Sequence, residues 1–171
     1  LVLGRSPPRR FQPHTARPMQ ACGLFLGYTL ETMIIVFTGN GKGKTTAALG
    51  QAVRMVGRGK NALMVQFIKG PWKSGEDFID IVAKGSPSTG SGSPTFRLVK
   101  KGLGFVGILG DTLPREKHVE AAQETLGYVK SEMEKGEWDL VILDEINVAI
   151  SLGLLTVEEV LAALADVPPE K

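Results

Sequence analysis

The chain has 171 residues, 43% of them hydrophobic and 22% charged, with a formal net charge of +2. That is the make-up of one soluble domain, and no run of about eighteen apolar residues is present that could cross a bilayer as a helix. A single cysteine, Cys22, excludes an internal disulfide or a multi-thiolate metal site, and with only His14 and His118 beside it a zinc cluster is equally unsupported. Such cysteine usage fits a reducing, cytoplasmic compartment.

The charge is unevenly placed. Residues 1–32 carry Arg5, Arg9, Arg10 and Arg17 against Glu31, which leaves 16 basic and 17 acidic residues in the remainder. The isoelectric point near 8.7 therefore comes from the leader. Without a basic face to displace counterions from a phosphate backbone, the body is not expected to bind nucleic acid, and no membrane partner is expected either. The leader is rich in Pro and Arg and passes through a short apolar stretch, Ala21 to Leu30, into Met33. It shares features with an organelle presequence and with a secretory signal, but no small-residue cleavage site precedes the first strand. It reads as a disordered or wrongly assigned extension over residues 1–32, with Met33 as the working start and residues 33–171 as the domain.

From Met33 the pattern alternates between strand and helix. Met33 to Thr38, M-I-I-V-F-T, is a β-branched run suited to a strand buried on both faces. After a glycine-rich turn, Leu49, Val53 and Val56 recur at helical steps over Thr45 to Val56, and Gly57 and Gly59 stop that helix. Asn61 to Ile68 predicts a second strand, closed by Gly70 and Pro71. Glu76 to Val82 predicts a short helix. The tract Gly85 to Thr95, G-S-P-S-T-G-S-G-S-P-T, predicts a flexible loop, since it has almost nothing to pack.

Phe96 to Val99 predicts a brief strand ahead of the glycine-spaced stretch Gly102 to Asp111. Pro114 suits a first helical turn, with Asp111 or Thr112 available as cap. Val119, Ala122, Leu126, Val129 and Met133 then form an apolar stripe ended by Gly136. Trp138 to Leu143 predicts a third buried strand running into Asp144 and Glu145. Thr156 and Glu159 form a capping-box pattern that opens a last helix with Val160, Leu161 and Leu164 facing inward. The alternation defines an α/β chain with a mostly parallel sheet, because parallel neighbours require crossover connections.

The strongest chemical signal is T-G-N-G-K-G-K-T-T, Thr38 to Thr46, at the first strand-to-helix junction. Gly43-Lys44-Thr45 matches the end of a phosphate-binding loop, and Thr38 stands where the usual pattern has its first glycine. Glycines 39, 41 and 43 let backbone N–H groups turn toward oxyanions, and the helix N-terminus adds its dipole. Lys44 brings a point charge to phosphate oxygens, and the Thr45 hydroxyl suits Mg²⁺. About a hundred residues on, Asp144 and Glu145 follow the apolar run Leu140 to Leu143. They stand at the strand end where open α/β sheets bind ligands, so they can hold Mg²⁺ or activate a nucleophile. Together the two signals imply a nucleoside triphosphate and Mg²⁺. Candidate nucleotide-binding residues are Gly39, Asn40, Gly41, Lys42, Gly43, Lys44, Thr45 and Thr46; candidate metal ligands are Thr45, Asp144 and Glu145; Lys44 and Glu145 are the candidate catalytic pair.

The phosphate loop alone does not choose a reaction. Four ordered motifs go further: G-N-G-K-G-K-T-T-A-A-L-G with Arg54, Q-F-I-K-G from Gln66 to Gly70 with Trp72 and Gly75-Glu76, the Gly104-Phe105 pair, and L-D-E-I-N from Leu143 to Asn147. Over Met33 to about Pro168 the chain resembles the ATP:corrinoid adenosyltransferases of the phosphate-loop type. The resemblance implies a three-layer, RecA-like fold and attack of the cobalt(I) of a reduced corrinoid, cob(I)alamin or cobyrinic acid a,c-diamide, on C5′ of ATP with triphosphate as leaving group. A separate reductant and pairing of subunits as a homodimer are also implied. In that scheme Lys42 and Lys44 bracket the phosphates, Asn40 fixes the nucleotide, and Thr45 and Glu145 hold or orient Mg²⁺.

The resemblance also implies an aromatic pair that displaces the lower axial ligand of the corrinoid. Phe105 matches the first member, but Gly107 stands where the second, a tryptophan, is usual. Trp72, Met55 and Met133 read as packing residues, and His118, within R-E-K-H, as a solvated one. The resembling proteins continue with a further strand and a C-terminal segment, so the sheet is expected to lack a strand and the chain to be less stable for it. Two alternatives remain: a small-molecule or nucleotide kinase, which would need a lid bearing arginines where Gly102 to Arg115 offers Arg115 alone, and a RecA-like nucleic-acid ATPase.

Overall fold

The computed structural model describes residues 2–5, 32–83 and 94–165. Five strands, β1 (Val2–Arg5), β2 (Thr32–Ile35), β3 (Ala62–Gln66), β4 (Phe96–Lys100) and β5 (Leu140–Asp144), form one sheet in the order β2-β1-β5-β3-β4. The strand β3 pairs in parallel with both β4 and β5. The strand β1 is antiparallel to β2 and to β5, so β2, β3, β4 and β5 all run the same way. The expected mostly parallel sheet is therefore present, with one reversed strand.

That reversed strand comes from the leader: Val2–Arg5 is part of the sheet and Val2 is buried in the core. V-L-G-R is too short to carry a periodic signal, and only its pairing with β2 and β5 identifies it. Residues 6–31, the rest of the leader, lie outside the described residues, as does most of the low-complexity tract, residues 84–93.

Helices α1 (Lys44–Val56), α2 (Arg115–Lys135), α3 (Ile146–Ser151) and α4 (Val157–Ala165) complete the structure. The strands β3 and β5 are buried at every position, and their period of two sorts side chains to opposite faces. Ala62, Met64, Leu140 and Ile142 pack with Ala48, Ala52 and Val56 of α1. Leu63, Val65, Val141 and Leu143 pack with Leu126 and Val129 of α2, Ala149 of α3 and Val160 of α4. Helices thus cover both faces of the sheet, in three layers.

Several details differ from the periodic reading. The buried stripe of α1 is Ala48, Ala52 and Val56, while Val53 is exposed. In α4 the buried residues are Val160 and Ala163, and Leu161 faces solvent. In α1, small alanines fit where the helix lies against β3 and β5, so Val53 points away. The segment expected as a helix from Glu76 is a single 3₁₀ turn, Gly75–Phe78. The six-residue helix α3 buries Ile146 and Ala149 and is too short to be read from periodicity.

Pro114 is itself the N-cap of α2, with extended backbone, and no side chain caps that end. Asp111 instead accepts the N–H groups of Gly107 (2.7 Å) and Leu113 (3.0 Å) and lies 3.0 Å from Nε2 of His118. His118 is only 3% exposed, which corrects its reading as a solvated residue. The capping box at Thr156 and Glu159 is present in both directions, with Thr156 N–H to Glu159 Oε2 at 2.7 Å and Glu159 N–H to Thr156 Oγ1 at 3.1 Å.

Candidate nucleotide and acceptor site

The glycine-rich loop leaves the end of β2 and enters α1 at Gly43. Gly39 (φ 122°) and Gly43 (φ 103°) occupy left-handed backbone, which a side chain at Cβ would strain, and this is why glycine is needed there. The loop curls around its own lysine, as Lys44 Nζ donates to the carbonyls of Gly39 (2.6 Å) and Gly41 (2.5 Å). A cavity of about 890 Å³ opens over it, walled on one side by the loop from Phe37 to Thr45 and on the other by Lys69, Asp144, Glu145 and Asn147. Gly39, Asn40, Gly41, Lys42, Gly43, Lys44, Thr45, Asp144 and Glu145 therefore meet at one hollow. Thr46 is exposed and outside the cavity wall, and Phe105 lies elsewhere.

Asp144, the last residue of β5, is 7% exposed. Its Oδ1 and Oδ2 accept the Thr45 hydroxyl at 3.0 and 3.2 Å, and its Oδ2 also accepts Gln66 Nε2 at 2.9 Å. The register of β3 and β5 places Gln66 opposite Asp144, so the parallel pairing itself aligns these groups. Gln66 Nε2 reaches Glu76 Oε1 as well (3.1 Å), while Gln66 Oε1 has no hydrogen-bond partner among the described residues.

Glu145 follows at φ 65°, a left-handed conformation rare for a residue with a side chain, and it begins α3. Strained backbone of this kind persists where surroundings hold it, and here it turns the carboxylate back over the sheet edge. Glu145 Oε2 accepts the backbone N–H of Lys69 at 3.1 Å. Burial, reinforced by the neighbouring Asp144 charge, pushes the Glu145 carboxyl above its ordinary pKa.

Lys69 is the cation of this cluster. Its Nζ bonds Glu76 Oε1 and lies 3.6 Å from Asp144 Oδ2. Burial opposes the Lys69 ammonium, but the hydrogen bond to Glu76 and the fields of Asp144, Glu76 and Glu145 outweigh it and raise its pKa. Glu76 shows the complementary effect: burial works against ionisation, but hydrogen bonds, that from Lys69 foremost, hold its pKa down to about 2. Gln66, Lys69 and Glu76 fall within the motifs of the resemblance, yet the sequence reading gave them no role. The available signal was a polar residue, Gln66, inside an apolar strand run.

The donor set suits a hard cation. Thr45 and Asp144 present oxygens to the same point, and among the described residues no group of three or more His, Cys, Asp or Glu could hold a metal alone. Mg²⁺ keeps waters and takes phosphate oxygens, so two protein oxygens beside a phosphate loop fit it better than a closed protein cage would.

A second, more apolar recess of about 250 Å³ adjoins the cavity and shares Lys69 and Glu145 with it. Trp72 and Phe105 stand at its wall with ring centroids 5.5 Å apart. Trp72 is 59% and Phe105 44% exposed, so neither is a core residue, which corrects the reading of Trp72 as packing. The Trp72 ring lies over Gly104, where an added Cβ would come within 2.7 Å of it.

A mostly parallel α/β sheet with a glycine-rich loop leading into a helix N-terminus and an acidic strand end is consistent with a phosphate-loop-like fold. Comparison with known proteins narrows this. Residues 31–171 match the family described as ATP:corrinoid adenosyltransferase BtuR/CobO/CobP. The corrinoid adenosyltransferase of Escherichia coli (strain K12) is 38% identical over 143 residues, covering 81% of this chain and 64% of that protein. Corrinoid adenosyltransferase CobA of Salmonella typhimurium is 38% identical over 136 residues, 77% of this chain and 60% of that protein, and a corrinoid adenosyltransferase from a Sinorhizobium species is 30% identical over 145 residues, 80% and 59%. The chain belongs to the ATP:corrinoid adenosyltransferase family. It spans about three-fifths of the length of these curated relatives.

Proposed function

We propose that the protein transfers the 5′-deoxyadenosyl group of ATP to the cobalt(I) of a reduced corrinoid, in adenosylcobalamin biosynthesis or salvage. The observation that carries this reading is the joining of the cavity over the glycine-rich loop to an apolar, aromatic-walled recess through Lys69 and Glu145. Two substrates of opposite character, a polyanion and a large ring system, then meet at one boundary.

In this scheme the cobalt(I) electron pair attacks C5′, the C5′–O bond breaks, and triphosphate leaves with that bonding pair as the cobalt–carbon bond forms. The loop N–H groups, Lys42 and Lys44 face the charge that grows on the leaving group, where preorganised donors act most strongly. Lys44 exchanges its loop carbonyls for phosphate oxygens. Thr45 and Asp144 would hold Mg²⁺, which supplies further charge neutralisation on the triphosphate, and Glu145 orients the cluster from the strained start of α3. Phe105 faces the corrinoid, acting by position and exclusion of water.

The same reading takes cob(I)alamin or cobyrinic acid a,c-diamide as acceptor, a separate electron donor, paired subunits and a cytoplasmic setting, without nucleic acid or membrane. No helix among the described residues is long and apolar enough to cross a membrane. A kinase lid is not favoured, because Arg115 donates its guanidinium to the carbonyl of Leu152.

Anaerobic incubation with ATP, Mg²⁺ and chemically reduced cob(I)alamin tests the proposal. Triphosphate and an alkylated corrinoid in equal amounts are expected; ADP formed without corrinoid would overturn it.

A further inference from the structure

Three carboxylates, Glu76, Asp144 and Glu145, converge on Lys69. Its Nζ bonds Glu76 and stands 3.6 Å from Asp144 Oδ2, and its backbone N–H donates to Glu145 Oε2 at 3.1 Å. Gln66 Nε2 completes the bridge between Glu76 (3.1 Å) and Asp144 (2.9 Å). Asp144 thus has two sides, one toward the Thr45 hydroxyl and one toward Lys69 and Gln66. A carboxylate only 7% exposed, with two more beside it, is costly to keep ionised without a cation close by.

We infer that Lys69 is the resident counter-ion of the metal site: its ammonium neutralises Asp144 and Glu76 while no divalent cation is bound, and gives up Asp144 to the cation that arrives with the triphosphate. The inference rests on the reading that Thr45 and Asp144 hold that cation. Because Lys69 lines both the nucleotide cavity and the apolar recess, loading the first redistributes charge at the mouth of the second. Lys69 is a positioning residue in this account.

The test is Mn²⁺ binding to the full chain without corrinoid, read from the paramagnetic resonance of free Mn²⁺, together with thermal melts. Lys69→Met and Lys69→Gln, the latter keeping a donor for Glu76 without the charge, should melt lower when metal-free yet bind Mn²⁺ roughly tenfold tighter, since a nearby positive charge has been removed. Lys69→Arg should stay near the parent. Unchanged Mn²⁺ affinity in both neutral variants, with binding lost in Asp144→Asn, overturns the inference and leaves the metal reading standing. Unchanged affinity in Asp144→Asn overturns the metal reading and the inference together. Should a neutral variant fail to fold alone, Mg²⁺ with ATP is expected to restore its melt, and failure to restore it would also count against the inference.

Discussion

Thr45 and Asp144, 99 positions apart, share a hydrogen bond of 3.0 Å from hydroxyl to carboxylate, which joins the phosphate loop to the end of β5. Lys44→Ala and Thr45→Val should each lower turnover by about a hundredfold or more, the scale of losing one preorganised electrostatic group. Lys44→Ala should shift stability by less than about 1 kcal/mol, whereas Thr45→Val, which takes a hydrogen bond from the buried Asp144 carboxylate, should cost about 1–3 kcal/mol. Asp144→Ala should cost stability as well, because it takes from Lys69 and Gln66 one of the two carboxylates they share and leaves Glu76 alone. Parallel activity assays and melts check this; full activity in Thr45→Val would count against the metal assignment.

Glu145 and Glu76 should respond to pH in opposite senses. The raised pKa of Glu145 means that the folded protein binds this proton more tightly than the unfolded chain does. Its ionisation therefore costs stability as pH rises from 4.5 through the folded value. Glu145→Gln should melt a few degrees higher than the parent at neutral pH, converge with it in acid, and be inactive. For Glu76, with its pKa lowered from 4.5 to about 2, the contribution is complete above 4.5 and is lost as pH falls toward 2. Glu76→Gln should flatten that acid limb of the melting profile.

His118 should prove structural. It is buried, and its Asp111 partner also ties down Gly107 and Leu113, so the pair pins the glycine-rich segment that carries Phe105 to α2. His118→Ala should lose about 1–3 kcal/mol of stability, the range for a buried polar contact. It should keep kcat within a few-fold, since the ring touches neither cavity. Loss of turnover without loss of stability would place His118 in the chemistry instead.

Gly104→Ala should damage the acceptor side alone. Gly104 has φ 108°, and its added Cβ would meet the Trp72 ring at 2.7 Å, so both backbone and ring must shift. The apparent KM for corrinoid should rise roughly tenfold, a loss of about 1.4 kcal/mol of binding. The melting shift produced by ATP and Mg²⁺ should be unchanged. Equal losses on both sides would mean that the recess and the cavity are not separable.

Removal of residues 1–31 tests whether the domain begins near Met33, as the sequence suggests. The strand β1 pairs four residues with β2 and three with β5, and Val2 is 1% exposed. At a net of about 1 kcal/mol for each ladder hydrogen bond, the truncated protein should be less stable by several kcal/mol. An unchanged melt would show that β2 and β5 have another way to satisfy their edges.

The α/β class, the phosphate loop and the position of Asp144 and Glu145 were readable because each is a local pattern. A β-branched run, a glycine spacing that permits left-handed backbone, and an acid pair after four apolar residues all have causes within a few residues of themselves. The apolar stripe of α2 was readable for the same reason, with Ala122, Leu126, Val129 and Met133 all buried.

What only the tertiary structure decided depends on partners distant in the chain. Val2–Arg5 becomes a strand because β2 and β5 offer it unpaired backbone, Val53 turns outward because alanines fit better beneath α1, and Leu161 turns outward because α4 buries Val160 and Ala163 instead. His118 is buried by Asp111 rather than by its own charged neighbours, and Trp72 stands against Phe105 because Gly104 leaves room for its ring. The gathering of Gln66, Lys69, Glu76 and Asp144 follows from the register of β3 on β5, and strand register is fixed by packing across the sheet rather than by the residues of either strand alone.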